Sequence, residues 1–393
     1  MITITVGIES GDIRGSTNIA LQAAVDYAAV LGGGTVRVLE GEYIMHDSLH
    51  LRSNITLIGA GTGKTTLKKT GCSKSFLKVT SGYGEETIKL CNPGGFAPGY
   101  GVTVSDDRAK GFLITVGTIV DMSDNETFRL NACMNVDCMV EGNAAAATIY
   151  PVISASGCRN IRIEGVEVDG NRKENEVFLD GCRGAGIYLL KTSDTIIRNC
   201  GVINFNGDGI SYQNCDDVVV CNCVSKGNAG FGIHPGSGSL RTVIRDCNIS
   251  GNGAAGIFFC WRVRDGLAEG CDITGNGDAG ISIGHRDVNN RIINNRILRN
   301  EKGGIVFRKE NIQHAAHGTW IESNEIFDNG KEPDFFGIKV AGEVGGLFIK
   351  NNKIGNHHSP GQGTGIYLEK DEKNNLIENN LFYNIKNHIE YGG

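Results

Sequence analysis

The 393-residue chain carries 38 basic and 44 acidic residues, a net charge of −6, and 57 glycines against six prolines. That balance gives no bulk attraction for nucleic acid or an anionic membrane surface, and no run reaches the ~18 apolar residues of a membrane span. The thirteen cysteines, an odd number without zinc-type spacing, read as small buried thiols rather than a disulfide framework, which favours a reducing compartment.

Met1 to Arg14 lacks the basic and apolar regions of a signal peptide, so the expectation is a cytoplasmic protein, although a chain trimmed of its leader would read the same. Thr17 to Leu31 has apolar residues at helical spacing and a Gly32-Gly33-Gly34 stop, and is expected to be an amphipathic helix that caps an open end of the fold. Val36 to Leu39, Ile55 to Ile58 and further strands through Ile153 are expected to form irregular first coils, with Gly82 to Gly101 as a loop. Gly59 to Thr65 imitates a phosphate-binding loop but has Ile58 where that motif needs its first glycine, and reads as a turn.

From Gly186 the dipeptide Gly-Ile returns, with isoleucines at 187, 210, 233, 257, 281, 305, 338 and 366. A steady period of 20–50 residues means stacked identical units. Two further columns keep the same register. Cys200, Cys223, Cys247 and Cys271 continue as Asn295, Asn324, Asn352 and Asn380, and a turn column runs Asn206, Asn228, Asn252, Asn276, Asn300, Asn329, Asn356 and Asn384. Turn asparagines tolerate left-handed backbone and stack into ladders. The segments between alternate with period 2, and no leucine-rich consensus is present. The predicted fold is therefore all-β: a single-domain right-handed parallel β-helix with coils of about 23–28 residues and an N-terminal capping helix. Its expected divisions are residues 1–35 (cap), 36–160 (irregular coils) and 161–393 (regular coils).

Inward side chains fill the core of such a solenoid, so chemistry must use outward columns. With the Gly-Ile isoleucine inward, the next residue faces out: Tyr188, Ser211, His234, Phe258, Ser282, Val306, Lys339 and Tyr367. Two further on come Leu190, Gln213, Gly236, Cys260, Gly284, Arg308, Ala341 and Glu369, and at the strand ends Trp261-Arg262, His285-Arg286-Asp287 and Lys309-Glu310. The expectation is a saccharide groove. Phe258 and Trp261 offer stacking faces, Ser211, Gln213, Arg262 and Ser282 contact substrate, and His234, His285, Arg286, Asp287, Arg308, Lys309 and Glu310 supply chemistry. Taking the proton beside a uronate carboxylate needs a base and a cation to neutralise that carboxylate, and this set holds both. Asp287 and Glu310 could instead act as a hydrolase pair. His285-Arg286-Asp287 is not a kinase triplet, because no asparagine follows at the required spacing.

The helix, Gly-Gly-Gly, Gly41-Glu42-Tyr43 and Leu51 to Gly59 resemble the opening of pectate-lyase-like β-helix enzymes. Phe231-Gly232-Ile233-His234-Pro235 and the coils after it resemble mannuronan carbon-5 epimerases, whose signature is Gly-hydrophobic-Asp-Pro-His. Here His234 stands in place of the aspartate and Gly236 in place of the catalytic histidine. The resemblance implies the fold and the position of the groove, while the epimerases' catalytic pair is not kept here. The function expected from the groove is a carbohydrate-active enzyme, a lyase or epimerase of uronate-containing glycans. The alternatives are a glycoside hydrolase or transglycosidase, or a non-catalytic sugar-binding or fibre-like β-helix. The expected partner is a poly- or oligosaccharide, neither nucleic acid nor membrane. No cofactor or metal is called for, with calcium and oligomerisation left open.

Overall fold

The computed structural model describes residues 2–330, 335–357, 362–370 and 374–392. Each regular coil contributes three short strands, and each strand pairs in parallel with its counterpart one coil on. Three stacked sheets result. The first has 13 strands and ends at Leu376–Glu378; the second runs from Gly41–Met45 to Leu381–Tyr383; the third runs from Leu49–His50 to Asn387–Tyr391. This is the predicted parallel β-helix, with Asn18–Val30 as the one α-helix among the described residues.

The Gly-Ile column sets the register of the third sheet. Its eight isoleucines pair one to the next and are fully buried. The glycine before each lets two sheets approach: a Cβ on Gly256 would meet Ile273 at 2.5 Å and the Gly280 carbonyl at 2.8 Å. Cys200, Cys223, Cys247 and Cys271 are buried and unpaired, each thiol donating to backbone carbonyls, as Cys247 does to Arg245 at 3.2 Å. The column then continues as amides. Asn295 Nδ2 donates to Asn324 Oδ1 at 3.0 Å, and Asn324 Nδ2 to Asn352 Oδ1 at 2.9 Å.

The turn column is also a ladder, but its conformation differs from expectation. The left-handed backbone lies one residue earlier, at Gly227, Gly251, Gly275, Arg299 and Asp328, and Asn384 alone in the column has positive φ. The preceding residue makes the turn, which leaves the asparagine side chain free to enter the interior and bond along the axis.

The helix begins after Thr17, whose side chain makes no capping bond, and ends where Gly32 (φ +90°) and Gly33 (φ +119°) adopt conformations that favour glycine. Its Leu21, Ala24, Val25 and Ala28 are buried, and it packs against Ile2–Gly7 and Gly34–Val38. The expectation of coils throughout 36–160 fails between Lys74 and Ala147. There the chain leaves the solenoid and builds a six-stranded antiparallel sheet around its own core of Leu90, Val102, Ile119 and Phe128. Only two of its pairs, Gly101–Ser105 with Thr115–Met122 and Thr115–Met122 with Thr127–Leu130, are hairpins; Lys74–Phe76 pairs with Ala145–Ala147 and Thr87–Lys89 with Thr127–Leu130, closing the sheet over longer range. The segment expected as a loop, Gly82 to Gly101, contains one of its strands, Thr87–Lys89.

Candidate active site

The corner after each third-sheet strand stacks on the next. Gly238 N donates to Trp261 O (2.8 Å), Arg262 N to His285 O (2.8 Å), and Arg286 N to His314 O (2.7 Å). This backbone ladder piles the side chains. Trp261 and His285 lie 4.9 Å apart by ring centroid, and His285 and His314 stack at 4.9 Å and 12°. Trp261 (φ 48°), Arg262 (φ 68°) and Arg286 (φ 57°) all hold left-handed backbone, a conformation that at most corners of this chain falls to Asn, Asp or Gly. Trp261 is 51% exposed.

His285 is half-buried, and its Nδ1 lies 3.1 Å from Glu310 Oε1. A carboxylate accepts, so Nδ1 carries the proton and Nε2 presents its lone pair, the arrangement of a general base. Arg286 is exposed, with one bond from Nε to Gln313 O; Lys309 pairs with Glu369. Arg262 forms no ion pair among the described residues.

Other predicted site residues turn out to be structural. Asp287 is 0% exposed: it accepts from Val263 N (2.9 Å), Gly284 N (2.8 Å) and Arg308 (3.1 Å). Burial pushes its carboxyl up to about 6 even against the Arg308 guanidinium. It does not face Glu310 across an open cleft, so the expected hydrolase pair is not assembled. Arg308 also donates to Ser282 Oγ and Phe259 O, and covers the half-buried Phe258 at 4.4 Å from the ring centroid. Ser282 is itself buried.

Ser211, Gln213 and His234 were expected on an open face and are buried, because the turn Asp180 to Gly184 lies over them. Ser211 Oγ donates to Gly181 O at 2.7 Å and Gln213 Nε2 to the same carbonyl at 3.3 Å. His234 Nδ1 lies 2.7 Å from Asp208 Oδ2, and Phe231 and Phe258 enclose its ring edge-on at 5.3 and 5.2 Å. Burial works against its cation, but Asp208 and the neighbouring Cys260 outweigh burial and hold it up at about 10. A Cβ at Gly236 would meet the terminal amide of Gln213 at 2.0 Å, so a side chain there requires Gln213 to swing aside.

Sequence reading missed His314, and it left Phe336, Lys339, Tyr367, Glu369 and Glu390 out of the site. The last five line an open cavity of about 670 Å³ with Arg308 and Lys309, on the face that carries Trp261. The column listing already held Lys339, Tyr367 and Glu369; only their shared cavity was invisible. No cluster of three or more metal-binding side chains occurs among the described residues, and none of the described helices is long and apolar enough to cross a membrane.

Residues 100–264 and 238–354 match the family model described as right handed beta helix region, together well over half of the chain. The chain belongs to this family. Mannuronan C5-epimerase AlgE3 of Azotobacter vinelandii is 38% identical over 86 residues, which are 20% of this chain and 5% of that protein. The match thus spans only a small part of that relative. Among solved structures, the A-module of the A. vinelandii mannuronan C-5 epimerase AlgE6 superposes over 98% of this chain and 95% of its own, with TM-score 0.61 and 16% identity. An exopolygalacturonase from Thermotoga maritima superposes over 98% and 88%, with TM-score 0.54 and 14% identity. At these identities the likeness concerns the right-handed β-helix fold.

Proposed function

We propose that this β-helix is a carbohydrate-active enzyme acting on uronate-containing polysaccharides as a lyase or epimerase, with His285 as the base. The observation that carries the reading is the Glu310-oriented His285 imidazole set 4.9 Å from the exposed Trp261. Trp261 offers a sugar face a platform, and His285 Nε2 takes the proton at the carbon bearing the carboxylate. The charge that develops on that carboxylate is met by Arg262, Arg286 or Lys309. Expulsion of the neighbouring glycosidic oxygen completes a lyase reaction; return of a proton from the other face completes an epimerisation. The similarity to mannuronan epimerases supports the substrate class, and these cations are placed for the neutralising role. The same reading treats the chain as one solenoid unit whose N-terminal end the helix Asn18–Val30 covers.

The test is incubation with alginate and with polygalacturonate, with and without added calcium. Ultraviolet absorbance reports the conjugated double bond of elimination, NMR reports inversion at carbon 5, and a reducing-end assay reports hydrolysis. His285→Ala is expected to lower turnover about 100-fold or more while melting is unchanged, and Trp261→Ala to raise KM. Full activity in both variants would move the site elsewhere. New reducing ends without ultraviolet absorbance would replace this reading by a hydrolase with other carboxylates, and binding without any product would replace it by a sugar-binding module.

A further inference from the structure

The outward column of the third sheet does not begin at Tyr188. Register carries it back through Ser154 to His50, since Ser154 pairs with Tyr188 and His50 pairs with Ser154. Those two coils carry a polar relay. Ser48 Oγ donates to Ser154 Oγ at 2.7 Å, Ser154 Oγ lies 3.0 Å from His50 Nδ1, and His50 Nε2 lies 3.2 Å from Asp47 Oδ2. Asp47 also accepts from Thr118 Oγ1 at 2.7 Å, a residue of the inserted antiparallel sheet. The directions follow from the ends. Asp47 only accepts, so Nε2 carries the ring proton; Nδ1 is then an acceptor, and the proton of Ser154, whose oxygen already receives Ser48, points at it.

Ser154, His50 and Asp47 line a cavity of about 250 Å³ where the inserted sheet meets the solenoid. The same cavity is lined by Arg183, whose Nε is buried without a hydrogen-bond partner among the described residues. A hydroxyl oriented on an imidazole, an imidazole oriented on a carboxylate, and a half-buried guanidinium with an unpaired Nε in one small cavity make up the parts of a serine nucleophile with a charge stabiliser.

We infer that this cavity is a second active site, a serine-dependent hydrolase of small acyl esters carried on sugar hydroxyls. Ser154 Oγ attacks the ester carbonyl carbon while its proton passes to His50 Nδ1. The tetrahedral oxyanion then collapses, the bond from the carbonyl carbon to the sugar oxygen breaks, and that oxygen takes the proton back from Nδ1. Water attacks the acyl-Ser154 ester in the same way, yielding the carboxylic acid and free Ser154. The net reaction is ester plus water to acid plus alcohol, and no other reactant is needed. Arg183 supplies charge for the oxyanion. Five coils, roughly 24 Å at the usual strand spacing of about 4.8 Å, separate Ser154 from Ser282, the position of the same column on the coil of His285, a span within reach of one polysaccharide strand.

The experiment is independent of uronate chemistry. The full chain is treated with a fluorophosphonate probe and, separately, assayed on 4-nitrophenyl acetate, and the label is mapped by peptide mass spectrometry. The label is expected on Ser154, with loss of labelling in Ser154→Ala and at least a hundredfold slower labelling in His50→Gln, both with the wild-type melting temperature. Label on another residue, no label on the wild-type chain, or an unchanged rate in His50→Gln would overturn the inference. The peptide map on the wild-type protein decides the matter even if a variant fails to fold.

Discussion

Asn252→Ala removes one rung of the turn ladder, and the cost can be worked from its bonds. Asn252 is 2% exposed; its Nδ2 donates to Ser225 O (3.1 Å) and Asn276 Oδ1 (2.9 Å), and its Oδ1 accepts from the Asn228 amide (3.1 Å) and Asn228 Nδ2 (3.0 Å). After truncation, Asn276 Oδ1 still receives the Asn252 amide, and Asn228 Nδ2 still has Ser225 Oγ. The Asn228 backbone N–H and the Ser225 carbonyl lose the partner that Asn252 gave them. The Ser225 carbonyl keeps its ladder bond to the next coil, so the one buried N–H left unsatisfied gives an expected loss of about 1–3 kcal/mol. Because each coil touches only its neighbours, accelerated amide exchange should be confined to the coils of Asn228, Asn252 and Asn276. The assay is denaturant melting of Asn252→Ala beside Asn248→Ala, an exposed asparagine of the same coil, expected within about 0.5 kcal/mol of wild type. Equal stability of the two variants would refute the claim that the ladder is structural rather than a row of solvated turns.

Asp287→Ala should cost about 3–5 kcal/mol by calorimetry or denaturant melting, because Arg308 and two amides lose their shared acceptor; an unchanged midpoint would return Asp287 to the list of catalytic candidates. His234 has its folded pKa raised to about 10 from 6.5, so the stability it lends with Asp208 is fully present below pH 6.5 and is lost as pH rises through 10. His234→Gln should therefore flatten the decline of melting temperature between those limits, and a parallel decline in both proteins would mean the pair does not titrate there. Cys200, Cys223, Cys247 and Cys271 should resist a thiol reagent in the native protein while exposed Cys91 and Cys133 react at once. Rapid modification of all four would contradict the packed ladder.

The repeat itself was legible, because inward and outward faces alternate with period 2 and each coil repeats the last: the Gly-Ile column, the thiol ladder and the outward position of Trp261 and His285 follow from spacing alone. Spacing also placed Ser211, Gln213, His234 and Asp287 on the outside. Whether an outward side chain meets water depends on what lies over it, and the covering Gly181 turn and the Arg308 side chain come from other coils. Similarly, His50 and Ser154 are 104 residues apart, separated by an inserted antiparallel sheet that carries no solenoid period. Local periodicity determined the fold and the facing of each residue, and only long-range contact decided which outward residues are buried and which come together as a site.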